Sequence, residues 1–343
     1  MPAPLELTRG QILAHRRRAG ALDERLPKSA ASLRRAALAG FPDSMPRAAL
    51  VAIHARVAGT EPGSWQDPSL AQVWGPRFSA YVVARDDVPV FTLGRLPDAG
   101  PRRDRAERTA AALEAFLAGR TMTYSEAGHG MGVNPNELRY ATLTGRVLIR
   151  WEGAGRPTIW MVPPPEIDPV EARLELARRH LHTFGTSTPD ALSEWAGIKP
   201  DRAKAALETL GSELVPARTP VGDAWILASD EASLRRTESA PPAAVRLLPS
   251  GDTYYLLQGR DRSLLVGDAG RRGELWTPRV WPGAVLVDGE IAGVWRRAGA
   301  VVDIQVWREL SPDQRDRIVD EAESLPLPDV GGRIRVRWPE ASA

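Results

Sequence analysis

The sequence predicts an α+β protein in which tandem winged helix-turn-helix units are followed by a small C-terminal antiparallel β-barrel-like domain. The first observation is an internal repeat, because the order helix, tight turn, helix and hairpin occurs in 123–162 and again in 188–227. This is the order of a winged helix. The second observation is a change after about residue 244 to short strand-like runs, two of which flank the hairpin signal Asp288-Gly289. We therefore predict three winged units and one β-rich domain, with boundaries at 1–100, 101–165, 166–238 and 239–343.

Length and composition indicate a globular protein of several modules. A chain of 343 residues, of which 43% are hydrophobic, can bury several cores. It contains no cysteine, which excludes disulfides, thiolate nucleophiles and cysteine-based metal sites. We see no signal peptide, and no segment approaches the roughly 18 consecutive apolar residues of a membrane helix. We therefore expect a cytoplasmic monomer that does not bind membranes.

The basic residues are almost all arginines. The net charge is +2, and three of the 45 basic residues are lysines, at positions 28, 199 and 204. Codon usage in a GC-rich genome explains such a bias by itself. Arginine also suits phosphate and guanine recognition, because its planar fork can donate two hydrogen bonds at once. The composition therefore permits nucleic-acid binding without establishing it.

The first predicted unit contains three helices followed by extended chain. We expect helices at 8–20, 31–39 and 47–57, with Thr8 as an N-cap and with Gly20 and Gly40 as stops. A turn with two prolines at 41–46 separates the second helix from the third. Residues 72–93 look extended, with a strand core at 81–83.

The next two units carry the repeat. In the second unit, Asn134 followed by Pro135 and, three residues after the cap, Glu137 marks the start of a helix that should end at Gly145. In the third unit, Thr188-Pro189 and Lys199-Pro200 open two helices. A pair of strand-like segments follows each helix pair, at 147–149 and 158–162, and at 214–215 and 225–227.

The C-terminal prediction depends on short apolar runs. We expect strands at 245–248, 254–257, 264–266, 284–287, 291–295 and 301–307. Ser311-Pro312 opens a helix that should run to about Ser324, and 333–338 suits a last strand.

No pattern indicates a metal or a cofactor. The five histidines, at 15, 54, 129, 180 and 182, lack the spacing of a ligand set. His180 and His182 should point apart on a helix. The glycines at 251, 259 and 267 do not precede a helix as a dinucleotide fingerprint requires. We therefore expect no metal and no nucleotide cofactor.

Polar residues on the second helix of each repeat are candidates for contacts with double-stranded DNA. These are Asn136, Arg139 and Arg146 in the second unit, and Lys199, Arg202 and Lys204 in the third. Arg156, at the tip of a predicted wing, could reach the DNA backbone or the minor groove. The alternative is an ordinary solvated helix face. As a set within two winged units, these side chains favour DNA contact.

The C-terminal stretch resembles the AlkZ/YcaQ-like DNA glycosylase family. The segments that carry the resemblance are 247–254, 259–262 and 285–295, supported by 180–197 and 5–57. The resemblance implies tandem winged helices with a C-terminal β-barrel. It also implies hydrolysis of the N-glycosidic bond of alkylated purines, including crosslinked ones.

The chain departs from the family's catalytic signature, which is Gln-aliphatic-Gln or Gln-aliphatic-Asp. Pro42 and Ser44 stand where the polar pair is expected, with Asp43 between them. Tyr81 replaces a histidine of a second family motif, in which Arg77 is retained. Excision of a cationic base needs a polar group that stabilises an oxocarbenium-like state and places a water molecule. Proline cannot do this, and serine does it weakly.

Two hypotheses follow from this departure. In the first, the protein is a divergent glycosylase with Asp43 and Ser44 in the catalytic loop and with Tyr81 or Arg77 beside them. In the second, it is a non-catalytic DNA-binding protein on the same scaffold, and Asp43 is a turn residue. A weaker third hypothesis is that the winged units bind only proteins.

Overall fold

A computed structural model describes residues 3–45, 47–153, 155–236, 243–257, 259–328, 330 and 332–338. The predicted boundary at 238/239, and Pro46 of the predicted turn, lie outside these residues. The α-helices are α1 Arg9–Ala19, α2 Ala30–Ala36, α3 Ala48–His54, α4 Val88–Thr92, α5 Pro101–Leu117, α6 Tyr124–Gly130, α7 Pro169–Phe184, α8 Pro189–Ala196, α9 Pro200–Leu210, α10 Glu231–Leu234, α11 Arg262–Leu265, α12 Ala269–Leu275 and α13 Pro312–Glu323. The strands are β1 Leu5–Glu6, β2 Phe41–Pro42, β3 Leu70–Trp74, β4 Ala80–Ala84, β5 Met122–Thr123, β6 Val147–Arg150, β7 Thr158–Met161, β8 Leu214–Thr219, β9 Gly222–Leu227, β10 Val245–Leu248, β11 Gly283–Val287, β12 Glu290–Ala298, β13 Val301–Val306 and β14 Arg335–Arg337.

These elements confirm the predicted α+β class, and the capping signals locate the helix ends. The side chains of Thr8, Thr188 and Ser311 each accept a hydrogen bond from the first turn of the following helix. Gly145 and Gly197 end their helices at φ values of 72° and 66°, which glycine adopts without steric cost. The helix predicted after Asn134 is present as a 3-10 helix over Pro135–Thr144.

Three predicted extended segments are helical. Residues 88–92 form α4, 253–255 form a 3-10 helix and 262–265 form α11. Short apolar runs have no periodicity that separates a buried strand from a buried helix. At 253–255, the Asp252 carboxylate caps the turn by accepting from the backbone N–H of Tyr254.

A six-stranded sheet connects the two predicted N-terminal units. Its order is β2-β4-β3-β6-β7-β5, so it combines strands from 41–84 with strands from 122–161. The two halves join where β3 pairs with β6, with Gln72 opposite Ile149. A smaller sheet has the order β1-β8-β9, in which the N-terminal strand lies parallel to β8.

The C-terminal sheet is an open sheet, which corrects the expectation of an antiparallel barrel. Its order is β10-β11-β12-β13-β14, and β14 lies parallel to β13. Within the part of the chain that the structure describes, β10 and β14 do not pair with each other. Helix α13 contacts both of these edge strands and buries Ile318 and Ala322 against the sheet. The helix thus buries the apolar face of the sheet, which in a closed barrel would be buried inside the barrel. In the same described residues, no helix is long and apolar enough to cross a membrane.

A buried ion pair joins the segment after α3 to the turn after β10. Arg56 donates to both carboxylate oxygens of Asp252, at 2.8 and 2.7 Å, and to the carbonyl of Ala52. Both charged side chains are almost fully buried, at 3% and 0% exposed. Thr253, the next residue, donates to the carbonyl of Gly40 at 2.8 Å. The chain before β2 and the chain after β10 are therefore held together.

We predict that Arg56→Ala lowers the free energy of unfolding by about 3–5 kcal/mol, because Asp252 is left buried and unpaired. Urea unfolding measures this change. The control is Arg235→Ala, which removes a pair with Glu231 at the surface of α10. This variant should lower the free energy of unfolding by less than about 0.5 kcal/mol. Equal stability of the two variants would contradict the assigned role of the buried pair.

Candidate nucleic-acid interface

Three adjoining recesses form one groove across the molecule. The aromatic recess has a volume of about 630 Å³, the loop recess about 300 Å³ and the sheet recess about 370 Å³. The aromatic and loop recesses share Ser44, Arg77 and Ser79. The loop and sheet recesses share residues from both sides of the groove, namely Met45, Ser250, Val280 and Trp281. We call the three together the arginine groove. Ser44 lies where the aromatic and loop recesses meet, and Met45 lies where the loop and sheet recesses meet.

The groove contains seven arginines and no lining carboxylate among the described residues. The arginines are Arg47, Arg77, Arg139, Arg156, Arg279, Arg296 and Arg297. None of them forms an ion pair with a described residue, whereas about half of the arginines outside the groove are paired, such as Arg173 with Asp98 and Arg179 with Asp87. Unpaired like charges along one concave surface produce a positive potential that attracts a polyanion.

Aromatic rings hold two arginines of the aromatic recess in place. The guanidinium of Arg139 lies 5.9 Å from the ring centres of both Trp74 and Tyr124, and that of Arg156 lies 6.0 Å from Tyr124. The buried Nε of Arg139 has no hydrogen-bond partner among the described residues. The two rings therefore fix where the positive charges of Arg139 and Arg156 lie in the aromatic recess.

Backbone strain is concentrated along the groove. Arg47, Arg77 and Phe78 have φ values of 65°, 56° and 58°, a region that non-glycine residues rarely adopt. All three line the groove. The chain at 77–78 is confined from one side, because a Cβ on Gly197 would lie 3.0 Å from the backbone nitrogen of Arg77. Strain of this kind occurs often at functional sites, where it fixes the direction of side chains.

Asp43 lies beneath the groove and is not among its lining residues. It is 4% exposed, and its two oxygens accept from the Ala49 backbone N–H at 3.0 Å and from Gln72 Nε2 at 2.6 Å. Burial raises the pKa of Asp43 to about 7, and these two hydrogen bonds and the nearby Arg47 oppose the rise. The carboxyl group closes the segment that leads into α3.

The backbone of Trp151 fixes the orientation of Gln72. The Trp151 N–H donates to Gln72 Oε1 at 2.7 Å, and Gln72 Nε2 lies 3.2 Å from the Trp151 carbonyl. A backbone N–H can only donate and a carbonyl can only accept, so the amide group must direct Nε2 towards Asp43. Gln72 thereby couples the loop under the groove to the β6–β7 turn on its other side.

The other two predicted catalytic residues line the groove. Ser44 is exposed where the aromatic and loop recesses meet, beside Arg77 and Ser79. Tyr81 lines the loop recess but is only 1% exposed. Burial raises the pKa of Tyr81 to about 12, so its phenol is neutral at physiological pH and is not a base.

The predicted DNA-binding residues fall into two groups. Arg77, Arg139 and Arg156 line the groove. The others lie outside its lining: Arg146 pairs with Glu114, Arg202 lies 3.9 Å from Asp98, Lys204 lies 3.8 Å from Glu208, and Asn136 and Lys199 are exposed. A helix pattern shows which side chains are polar but not which of them face one concave surface.

Sequence reasoning missed the arginines on the C-terminal side of the groove. Arg279, Arg296 and Arg297 lie in or next to segments that looked like core strands. The adjacent pair Arg296-Arg297 at the end of β12 was the available signal, because a sheet buried on both faces does not place two arginines in succession. Ser79 carried no signal, since it is an ordinary turn residue.

The fold also brings together His15, His182 and Asp230, whose nearest ligand-type atoms lie within 4.8 Å of one another. Both ring nitrogens of His15 are hydrogen bonded, to Ser233 and to the His182 carbonyl. His182 Nδ1 is bonded to Asp230 at 2.8 Å. These hydrogen bonds give the cluster a structural role, which is to connect α1, α7 and the start of α10. The sequence could not show it, because the three residues come from distant segments.

A family model described as DNA glycosylase AlkZ-like matches residues 33–326. The chain belongs to the AlkZ-like DNA glycosylase family. Membership implies a protein that binds DNA and functions in its repair. Among solved structures, the chain is similar to Streptomyces sahachiroi DNA glycosylase AlkZ, with a TM-score of 0.75 and 16% identity over 97% of this chain and 100% of that chain. No curated protein matches the chain in sequence.

The family match includes Pro42 and Ser44, the positions at which the resemblance implies a polar pair. In the structure, Pro42 and Ser44 line the groove, whereas Asp43 between them is buried. The loop therefore presents a hydroxyl and a pyrrolidine ring to the groove, and it keeps its carboxyl group for internal hydrogen bonds.

We predict a pH-dependent effect of Asp43→Asn on stability. Because the pKa of Asp43 is raised from 3.8 to about 7 on folding, its contribution is fully present below pH 3.8 and is lost as the pH rises through about 7. Asparagine cannot ionise. The wild-type free energy of unfolding, relative to that of Asp43→Asn, should therefore fall by about 2.6 kcal/mol between pH 5 and pH 8.

Urea unfolding of both proteins at the two pH values measures this difference. Subtracting the variant removes the contributions of other titrating groups, such as His54 and His180, whose pKa values burial lowers to about 3. A difference that does not change with pH would show that the carboxyl group is not buried as described.

Proposed function

We propose that this protein binds double-stranded DNA along the arginine groove and recognises bulky alkylated purines next to Ser44 and Met45. The observation that carries the proposal is the set of seven unpaired arginines without a lining carboxylate. Phosphate contacts of this kind supply most of the sequence-independent affinity for duplex DNA.

The arrangement of helices and hairpins supports the same proposal. We propose that α6, the 3-10 helix Pro135–Thr144 and the β6–β7 hairpin form one winged helix, and that α8, α9 and the β8–β9 hairpin form another. The order of elements matches a winged helix in both cases. Arg139 on the 3-10 helix and Arg156 on the β6–β7 turn then contact the DNA backbone from one side of the groove.

The polar groups at the middle of the groove favour recognition over hydrolysis. Where the aromatic and loop recesses meet, the shared side chains are two hydroxyls and one guanidinium, those of Ser44, Ser79 and Arg77. A hydroxyl stabilises an oxocarbenium-like centre weakly, and a nearby guanidinium opposes positive charge on the sugar. Hydroxyl and guanidinium groups suit hydrogen bonds to phosphates and base edges instead.

Hydrolysis of the N-glycosidic bond is a second candidate, and one observation favours it. Asp43 directly precedes Ser44, so a rearrangement that turns its carboxyl group towards the groove would place a proton acceptor for water beside the bound base. The departing alkylated base is already cationic and needs no acid. The same rearrangement removes the burial that raises the pKa of Asp43, so the carboxyl group would then be ionised at neutral pH.

We predict that Arg139→Ala and Arg156→Ala each weaken binding to an undamaged duplex. Each should also reduce the slope of log Kd against the logarithm of salt concentration by about one, which corresponds to the loss of one phosphate contact. Fluorescence anisotropy over a range of salt concentrations measures both effects. The control is Arg178→Ala, which removes an arginine outside the groove that is paired with Glu213, and it should bind as the wild type does. Equal weakening in all three variants would indicate a general charge effect and contradict the assigned groove.

We predict tight binding without base release on a duplex that contains a bulky N7-alkylguanine. The assay compares wild type, Asp43→Asn and buffer alone, with binding recorded on the same duplex. Release by the wild type that Asp43→Asn abolishes, without a change in binding, would establish the hydrolytic candidate instead. Failure of the wild type to bind would overturn both.

A further inference from the structure

Two large apolar side chains are exposed inside a groove that is otherwise basic. Met45 is 39% exposed and Val280 is 47% exposed, and each lines both the loop recess and the sheet recess. They come from segments far apart in the chain, the β2–α3 connection and the α12–β11 connection. The other large apolar side chains that are exposed in the described residues, Val133, Ile167 and Val170, do not line the groove.

Both connections are held by hydrogen bonds, so their tips are positioned. The carbonyl of Met45 accepts from the Ala48 N–H at 3.0 Å, and the Asp43 carboxyl group closes the same loop from below. The carbonyl of Val280 accepts from the Thr277 hydroxyl at 2.8 Å. Val280 also precedes Trp281, which packs against the hydrophobic core. The protein therefore keeps two apolar tips in solvent on tethered loops.

Arginines stand beside each apolar tip. Arg47 follows Met45 by two residues, and Arg279 directly precedes Val280, and both arginines line the groove. An acidic protein surface would suit the arginines but leave the apolar tips in contact with charge. Duplex DNA suits both, because it has phosphates on the outside and an apolar stack of bases within. Minor-groove proteins use apolar side chains in this way to open a base step.

We propose that Met45 and Val280 form an apolar wedge that enters the base stack of a bound duplex while the arginines beside them hold the phosphates. This inference rests on the proposed DNA binding and deepens it. Opening a step is least costly where stacking is already weakened. The wedge therefore makes the protein select duplexes whose stacking a lesion or mismatch has disturbed, whichever base edges the groove also contacts.

The test compares two duplexes of the same length, one fully paired and one with two adjacent mismatches at its centre. Each carries 2-aminopurine at the central step, whose fluorescence rises when it loses its stacking partner. The proteins are wild type, the double variant Met45→Ser/Val280→Ser and the conservative double variant Met45→Leu/Val280→Leu. The matched control is Ile167→Ser/Val170→Ser, which removes two equally exposed apolar side chains outside the groove.

We expect wild type to prefer the mismatched duplex by about ten-fold or more and to raise the 2-aminopurine fluorescence. The leucine variant and the control should behave as wild type. The groove serine variant should bind the paired duplex within about two-fold of wild type, because phosphate contacts remain, and should lose most of the preference and the fluorescence change. Thermal unfolding of each variant verifies that it is folded.

Three outcomes overturn the wedge, and they differ in what else they affect. If wild type binds the paired duplex but shows no preference, the wedge is wrong and the proposed DNA binding stands. The same holds if the groove serine variant keeps both the preference and the fluorescence change. If wild type binds neither duplex, the proposed function fails and the wedge fails with it.

Discussion

The groove depends on the buried ion pair between Arg56 and Asp252. Arg56 lies at the end of the α3 segment, and its guanidinium also lies 5.4 Å from the ring centre of Phe41 in β2. Asp252 lies in the turn after β10, where it also caps the Tyr254 N–H. One charged contact thus connects both sides of the groove. A buried ion pair contributes little more to the free energy of folding than apolar packing in its place would. Removing one partner is strongly destabilising, because the other charge is left buried and unpaired. The pair therefore fixes how the two loops meet more than it raises overall stability.

The distribution of ion pairs follows from the same architecture. Arginines that join elements are paired or bonded to carbonyls, as Arg95 is to the carbonyls of Ala196 and Trp74. The arginines of the groove form no ion pair with a described residue, and Arg47, Arg139 and Arg156 lie over aromatic rings. A protein with a net charge of +2 can therefore present a strongly basic surface, because its carboxylates are placed elsewhere. The net charge calculated from the sequence does not reveal this distribution.

The inward position of Asp43 in this AlkZ-like protein has a structural explanation. Asp43 is held by Ala49 and Gln72, and Gln72 is held in turn by the backbone of Trp151. Its carboxyl group stabilises the loop that carries Ser44 and Met45 into the groove. A carboxyl group that is committed to two hydrogen bonds beneath a loop is poorly placed for chemistry above it. Lesion recognition and an apolar wedge are compatible with this arrangement without any rearrangement.

The sequence by itself determined the α+β class, the capped starts of several helices and the family, because caps, glycine stops and motif residues act over a few positions. It also indicated Ser44, Arg77, Arg139 and Arg156, which line the groove. Only the tertiary structure decided that the C-terminal sheet stays open, that Asp43 is buried and that Arg279, Arg296 and Arg297 face the same groove as Arg139. These features depend on contacts between residues far apart in sequence. Local propensity carries no information about them, since the free energy that decides them comes from packing and desolvation.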